Sequence, residues 1–338
     1  MGSRLHFIGK TEAALIGEDF PDPWSVNNFD PVKYLALMIK VWPQLINRVL
    51  DQKVESFYQE RWIPKADGGS RLLLVPQDPL RFIQRRIARR VLRQISVSSS
   101  VHGFVVGRGI VSNAYAHLGA ECAYTLDLKD AFSSVTDERV VWELWRLKVD
   151  EFKIGWSLAS LIAQLCTLEH PALGYGYRLP QGASTSPALF NLACGNLDRR
   201  LGRFAATMGG IYTRYADNVS ISARRPITDK ERHIIRKIVT ECRFEINEAK
   251  TKLMHASGHS VLRFPGLILS RERVALSRRK LRQLRAAIHF AAMHGEEDRL
   301  RGLVSYAHQV YGTAIPRQIL GVVPPPQLLQ KVGWRQDH

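Results

Sequence analysis

The sequence predicts an α+β chain, and three observations carry that expectation. Residues 31–60 and 79–95 place apolar side chains at helical spacing. WIPKADGGSRLLLVP (62–76) reads as a strand, an Asp67-Gly68-Gly69 turn and a second strand. Two alternating runs, 211–216 and 219–223, meet at Asp217-Asn218, a dipeptide that tolerates positive φ and suits a tight hairpin. With 338 residues, 45% hydrophobic and 23% charged, the chain has room for two domains or one divided domain. A core of that size needs no disulfide or metal staple.

Taken in order, 31–60 reads as two helices interrupted near Pro43, with Leu35, Met38, Ile39, Leu45 and Leu50 facing inward. The helix over 79–95 has Pro79 in its first turn and an apolar face of Leu80, Ile83, Ile87 and Val91. Arg81, Arg85, Arg89 and Arg93 recur every fourth residue, with no acid after Asp78 to pair them. That stripe is either a solvated face or a phosphate-tracking one, and its single sign favours the second. A strand opens at 121, with Tyr124, Leu126 and Leu128 on one side and Ala123, Thr125 and Asp127 on the other. A second basic cluster (Arg271, Arg273, Arg278, Arg279, Lys280, Arg282 and Arg285 against Glu272) begins a helix whose inner side is Leu281, Leu284, Ile288 and Ala291.

Lys and Arg (48) exceed Asp and Glu (31), giving +17 and a pI near 10.0. Such an excess calls for a polyanion, nucleic acid or an anionic membrane. The sequence has no apolar run of roughly 18 residues. Its start lacks a signal-peptide core, and His6 stands where myristoylation needs Ser or Thr. Nucleic acid is therefore the expected partner, with no membrane role and a cytoplasmic location. Cysteines 122, 166, 194 and 242 form no CxxC pair and read as reduced core thiols. The glycines at 103, 107 and 109 lack the GK[ST] ending of a phosphate-binding loop, which disfavours an ATPase.

Asp127 stands out because aspartate is disfavoured inside strands and an isolated buried carboxylate is costly. It either caps the turn after its strand or has a charged partner. Brought together with Asp217, it would make a hard-oxygen site suited to magnesium. Two such ions about 4 Å apart activate a 3′-hydroxyl and stabilise departing pyrophosphate in nucleotidyl transfer.

These residues also carry a resemblance. Tyr215-Ala216-Asp217-Asn218 resembles the YxDD box of reverse transcriptases, and Asp127-Leu128-Lys129-Asp130-Ala131-Phe132 their first catalytic strand. LPQGASTSPALFNL (179–192) is similar to their QGxxxSP motif, and INEAKT (246–251) to the lysine-containing segment that follows. The order and spacing match from about residue 57 to 310. Val101-His102-Gly103-Phe104, Gly107 and Asn113-Ala114-Tyr115-Ala116-His117 resemble the NAxxH region of bacterial retron reverse transcriptases; LRGLVSYAHQVYG (300–312) is similar to their thumb. Two departures stand out: Phe264-Pro265-Gly266 keeps only the glycine of the retron VTG element, and Asn218 replaces the usual second Asp.

The resemblance implies a right-hand polymerase fold: an N-terminal helical extension (1–56), fingers (57–120), palm (121–260), thumb (261–315) and a C-terminal tail (316–338). No RNase H or endonuclease domain is expected after the thumb. Asp127, Asp217 and the Leu128 carbonyl would hold two Mg2+ ions, with Mn2+ as the alternative, and Asn218 would add a neutral oxygen. Lys65 and Arg71 would clamp the triphosphate, against the alternative of a solvated hairpin. Phe132 would exclude a 2′-hydroxyl, or else serve as a core aromatic. Gln181 and Gly182 would support the nascent base pair, where a simple turn is the alternative. Lys250 would protonate pyrophosphate as general acid or is a surface lysine. Arg81, Arg85, Arg89, Arg278 and Arg282 would contact RNA and DNA phosphates. Asn113 and His117 share a helical face and would touch RNA, or His117 is a satisfied structural histidine. His289 and His294 read as structural.

The implied function is an RNA-directed DNA polymerase that copies a structured noncoding RNA into RNA-linked DNA, primed from a 2′-hydroxyl. Its partners would be that RNA, the DNA product, dNTPs and an anti-phage effector protein. The alternatives are another defence-associated reverse transcriptase and, because of Asn218, a catalytically silent RNA-binding scaffold.

Overall fold

The computed structural model describes residues 30–64, 68–145, 147–149, 152–256, 261–264, 266–269 and 273–312. Lys65, Arg271, Pro265, most of the expected N-terminal extension and the 316–338 tail lie outside the described residues. In chain order the elements begin with α1 (Pro31–Ile39), α2 (Pro43–Asp51), β1 (Tyr58–Pro64), β2 (Ser70–Pro76), α3 (Leu80–Arg90) and α4 (Ile110–Tyr115). Then come β3 (Cys122–Asp127), α5 (Asp137–Leu144), β4 (Lys148–Val149), β5 (Phe152–Lys153), α6 (Trp156–Cys166), β6 (Leu168–His170) and β7 (Gly174–Arg178). α7 (Ser186–Ala193) and α8 (Gly195–Thr207) precede β8 (Ile211–Tyr215), β9 (Asn218–Ala223) and α9 (Asp229–Glu241). The last elements are β10 (Lys252–His255), β11 (Leu262–Phe264), β12 (Leu267–Leu269), β13 (Val274–Leu276), α10 (Arg278–Met293) and α11 (Glu297–Tyr311). None of the described helices is long and apolar enough to cross a membrane.

The chain forms two compact units. The first comprises Met1–Ser98, Leu128–Arg199 and Val239–Glu245. Asp30 caps α1 by accepting from the Val32 and Lys33 amides, and Pro43 opens α2. The buried residues of α2 are Ile46 and Val49, whereas Leu45 and Leu50 are only half-buried. The inward face expected there is shifted because the second helix restarts its phase at Pro43. In α3, Leu80, Ile83, Ile87 and the following Val91 are all fully buried, as the periodicity predicts. Gln84 lies in the same interface and donates to Tyr58 Oη and the Leu165 carbonyl, both at 2.8 Å. Arg86 caps the end of α1 by donating to the Ile39 and Lys40 carbonyls. One arginine of this helix is therefore a scaffold residue.

The second unit comprises Ser99–Asp127, Arg200–Ile238 and Ile246–His338. Its centre is an antiparallel sheet in the order β10-β3-β9-β8. β3 is an inner strand in which every residue but Thr125 is buried, so Asp127 ends a strand covered on both faces. β11, β12 and β13 form a separate three-stranded sheet. Leu262, Phe264, Leu267 and Leu276 of that sheet join Leu284, Ile288 and Ala291 of α10 and Val304 and Ala307 of α11 in one core. Val111 and Ala114 of α4 pack into the same core, tying the region before β3 to the C-terminal helices. Leu281, expected on the inner side of α10, is only partly buried.

The four cysteines are free and buried, and burial pushes the Cys166 thiol up to about 12. They are core residues, as expected.

Candidate active site

β8 and β9 form the hairpin expected from the alternating runs, but its turn is displaced by one residue. Tyr215 pairs with Asn218, so the two loop residues are Ala216 and Asp217, while Asn218 is the first residue of β9. Ala216 takes the positive φ (55°) that a two-residue loop requires. Three contacts from within the unit hold it there. The Arg214 side chain, fully buried, donates from Nη1 to the Ala216 carbonyl at 3.0 Å. Residues 100–102 run beside β8, with Arg214 N donating to the Ser100 carbonyl and His102 N to the Arg214 carbonyl. Gly103 packs against the Tyr215-Ala216 backbone so tightly that a Cβ there would overlap the Ala216 nitrogen. The sequence pattern did not single out Arg214. Its signal was an arginine inside an apolar, alternating strand, a residue type almost never fully buried without internal partners.

The register of β3 against β9 sets Asp127 opposite Asn218, so the hairpin tip brings Asp217 beside Asp127. Asp127 is 7% exposed. Burial raises the Asp217 pKa above its usual value, and the neighbouring Asp127 charge raises it further. Asn218 Nδ2 donates to Asp217 Oδ1 at 3.0 Å and acts in the opposite direction. Lys250 follows from the segment before β10 and points its ammonium at Asp127, 3.1 and 3.4 Å from the two carboxylate oxygens. The sequence candidates Asp127, Asp217, Asn218 and Lys250 thus converge at one end of the sheet.

This donor set suits a hard divalent cation. Two carboxylates lie in each other's field with one mostly exposed lysine for compensation. Among the described residues no third His, Cys, Asp or Glu joins them. Magnesium characteristically takes one or two protein carboxylates and completes its shell with water and phosphate oxygens.

Other candidates fall in the first unit. Gln181 and Gly182 pack on β2: the Gln181 carbonyl accepts from Leu74 N at 2.8 Å, and a Cβ on Gly182 would lie 2.7 Å from the Leu74 oxygen. Gly182 also has φ 126°, so both space and backbone require glycine. Arg71 lies on β2, opposite Ile63 and exposed. Phe132 is half-buried with its ring centroid 5.3 Å from that of Phe190. Leu128, directly after Asp127, has a buried side chain. Arg85 and Arg89 are exposed on α3, while Arg81 forms an ion pair with Asp78. Arg278 and Arg282 are exposed on α10 in the second unit.

The expected RNA contacts from Asn113 and His117 are corrected by burial. Asn113 is 1% exposed and His117 0%. His117 Nδ1 lies 2.7 Å from Ser222 Oγ and Nε2 2.6 Å from Thr213 Oγ1, and its ring stacks on Phe264. Both ring nitrogens are used inside the protein, and the residue is a structural histidine. His294 is likewise engaged locally, stacked on Phe290 and bonded to its carbonyl.

Comparison with known proteins agrees with this geometry. Residues 63–288 match the family described as reverse transcriptase (RNA-dependent DNA polymerase). The chain is 31% identical to the Retron Mx162 reverse transcriptase of Myxococcus xanthus, covering 73% of this chain and 56% of the relative. It is 35% identical to the Retron Mx65 reverse transcriptase of the same organism, over 72% and 59%. The Retron Ec86 reverse transcriptase of Escherichia coli is 32% identical, over 70% of each chain. The chain therefore spans less than two thirds of the two Myxococcus relatives. The family match takes in Asp127, the Gln181-Gly182 turn, the Asp217 hairpin and Lys250, and the α+β fold is of the right-hand polymerase class. With that match and those relatives, the chain belongs to the reverse transcriptase family, in its retron type.

Proposed function

We propose that this protein is an RNA-directed DNA polymerase that copies a structured noncoding RNA into RNA-linked single-stranded DNA. The observation that carries the reading is the pairing of Asp127 and Asp217 at one sheet end, where their mutual field and burial leave negative charge to be neutralised. Two Mg2+ ions, or Mn2+, held by Asp127, Asp217 and the Leu128 carbonyl would supply the charge that activates a 3′-hydroxyl and stabilises pyrophosphate.

The chain's own residues do the rest. The Arg214 and Gly103 contacts fix the hairpin, so Asp217 needs little rearrangement as charge develops. Lys250 starts 3.1 Å from Asp127 and, released from it, is the group that hands a proton to departing pyrophosphate. Lys65 and Arg71 of the fingers hairpin clamp the triphosphate, and Phe132 excludes a 2′-hydroxyl. Gln181 and Gly182, seated on β2, support the new base pair. Arg81, Arg85, Arg89, Arg278 and Arg282 bind phosphates of the RNA and its DNA product. The division into fingers (57–120), palm (121–260) and thumb (261–315) belongs to this reading. So do the cytoplasmic location, the 2′-hydroxyl priming and an effector protein held for anti-phage defence.

Asn218 favours a second reading, a catalytically silent RNA-binding scaffold, because it supplies a neutral amide where a second carboxylate would add charge. The deciding experiment extracts nucleic acid from protein purified from its host with the neighbouring locus intact, beside an Asp217→Ala control. DNase-sensitive material joined to RNA, absent from the control, is the expected result. RNA alone in both samples, unchanged by Asn218→Asp, would leave the scaffold.

A further inference from the structure

Among the described residues of the second unit, two non-glycine residues have positive φ, Ala216 (55°) and Phe104 (62°). They adjoin: Gly103, directly before Phe104, is the residue pressed against the Ala216 backbone. A left-handed backbone is unfavourable for a bulky side chain, and such strain persists where the surroundings over-determine it. The loop is fixed from several directions. Residues 100–102 pair with Arg214, Arg108 Nη1 donates to the Val101 carbonyl at 2.7 Å, and His102 Nδ1 lies 2.8 Å from Ser112 Oγ. This scaffold does not bury what it displays. Phe104 is 52% exposed and Val106 83%.

We propose that Phe104 and Val106 form an apolar platform for the terminal nucleotides of the strand being extended. The inference rests on reading Asp127 and Asp217 as the polymerase centre. The strand whose 3′-hydroxyl reaches Asp217 must pass the hairpin tip, and the loop packed against that tip offers its last nucleotides a ring face and a branched aliphatic side chain. Apolar contact with base and sugar is indifferent to sequence, as an enzyme copying a whole template requires. Phe104 acts as a positioning residue, seating the terminus while the carboxylates perform the chemistry.

The left-handed backbone separates this role from a structural one. Phe104→Gly removes the ring and suits φ 62°, so its melting temperature should equal or exceed that of the wild type. Its affinity for a fluorescein-labelled DNA primer annealed to an RNA template, measured without divalent ions, should fall roughly fivefold or more. Phe104→Tyr should restore binding, and Val106→Ser, at an exposed position, should weaken it in the same direction. Wild-type affinity in both Phe104→Gly and Val106→Ser, in a protein whose wild type shows Asp217-dependent incorporation, would overturn the platform and leave the polymerase reading intact. Absence of both duplex binding and Asp217-dependent incorporation in the wild type would overturn the polymerase reading and the platform with it.

Discussion

On strands β8 and β9 two polar clusters lie a few residues apart, one closed and one open. In the closed cluster His117 uses both ring nitrogens on Thr213 and Ser222, and Phe264 covers its face. Burial, with a smaller contribution from His102, pulls its pKa down to about 3, so the ring is neutral. In the open cluster Asp217 is pushed the other way, by burial and by Asp127, and its nearest compensation is an amide and an exposed lysine. Both clusters hold titratable groups with perturbed pKa, so perturbation alone does not identify a working site. The distinction is balance: the first is complete within the chain, and the second is left with negative charge that a cation and substrate would balance on the proposed reading.

The largest expected effect comes from removing the open cluster's charge. Asp217→Ala or Asp127→Ala should lower dNTP incorporation by on the order of a thousandfold, the scale of losing a main electrostatic group at a reacting centre. Stability should respond in the opposite sense. A carboxyl whose folded pKa lies above its usual 3.8 contributes stability below that pH and loses it as pH rises through the folded value. At neutral pH the Asp217 charge therefore works against folding, and Asp217→Asn should melt no lower than the wild type. Magnesium should raise the wild-type melting temperature more than that of Asp217→Asn. Equal shifts would mean that the ion does not bind through Asp217.

The closed cluster predicts the converse. His117→Leu should destabilise the protein by about 3 kcal/mol, because two buried hydroxyls lose their partner. The pH dependence has a definite sign. With a folded pKa near 3 against 6.5 for the free group, the stability due to neutral His117 is complete above pH 6.5 and is lost as pH falls toward 3. Chemical denaturation across that range should show a smaller acid loss in His117→Leu. A variant that kept its stability but lost RNA affinity would break the comparison and return His117 to the RNA surface.

His117 also shows where sequence was an incomplete guide. Its four-residue spacing from Asn113 suggested one helical face, but α4 ends at Tyr115 and His117 lies in the turn that follows. The partners that settle its role, Thr213 and Ser222, come from strands about a hundred residues away. Local patterns were more readable. Pro43 marked a helix start, the Leu80–Val91 stripe marked a buried face, and strand alternation located the Asp217 hairpin. The hairpin's tip was displaced because composition favoured Asp217-Asn218, whereas the packing of Gly103 and Arg214 holds the positive φ at Ala216. The arginine stripe on α3 was legible as a stripe, but its members differ: Arg81 is tied to Asp78, while Arg85 and Arg89 stand exposed. Changing Arg85 and Arg89 to Gln should flatten the salt dependence of RNA binding by about 0.7 in log–log slope for each phosphate that is no longer neutralised. Arg81→Gln should change it less. An unaltered slope in the double variant would make the stripe a solvated face.

The smallest and most diagnostic change is Asn218→Asp. In the present chain the Asn218 amide donates to Asp217 and holds one oxygen of the open cluster in place without adding charge. An aspartate there would replace a donor with an acceptor and set a third negative charge beside two others. Like charges in one site raise one another's pKa, so the cation-free protein should melt slightly lower. The same added charge should lower the magnesium concentration for half-maximal incorporation by a few fold. The two shifts must appear together, because both follow from the same field at Asp217. A lower melting temperature without tighter magnesium would mean that residue 218 tunes the fold but lies outside the cation's reach. Activity appearing only in Asn218→Asp would mean that the open cluster of the present chain lacks a charge it needs, an enzyme switched off at residue 218 rather than a scaffold.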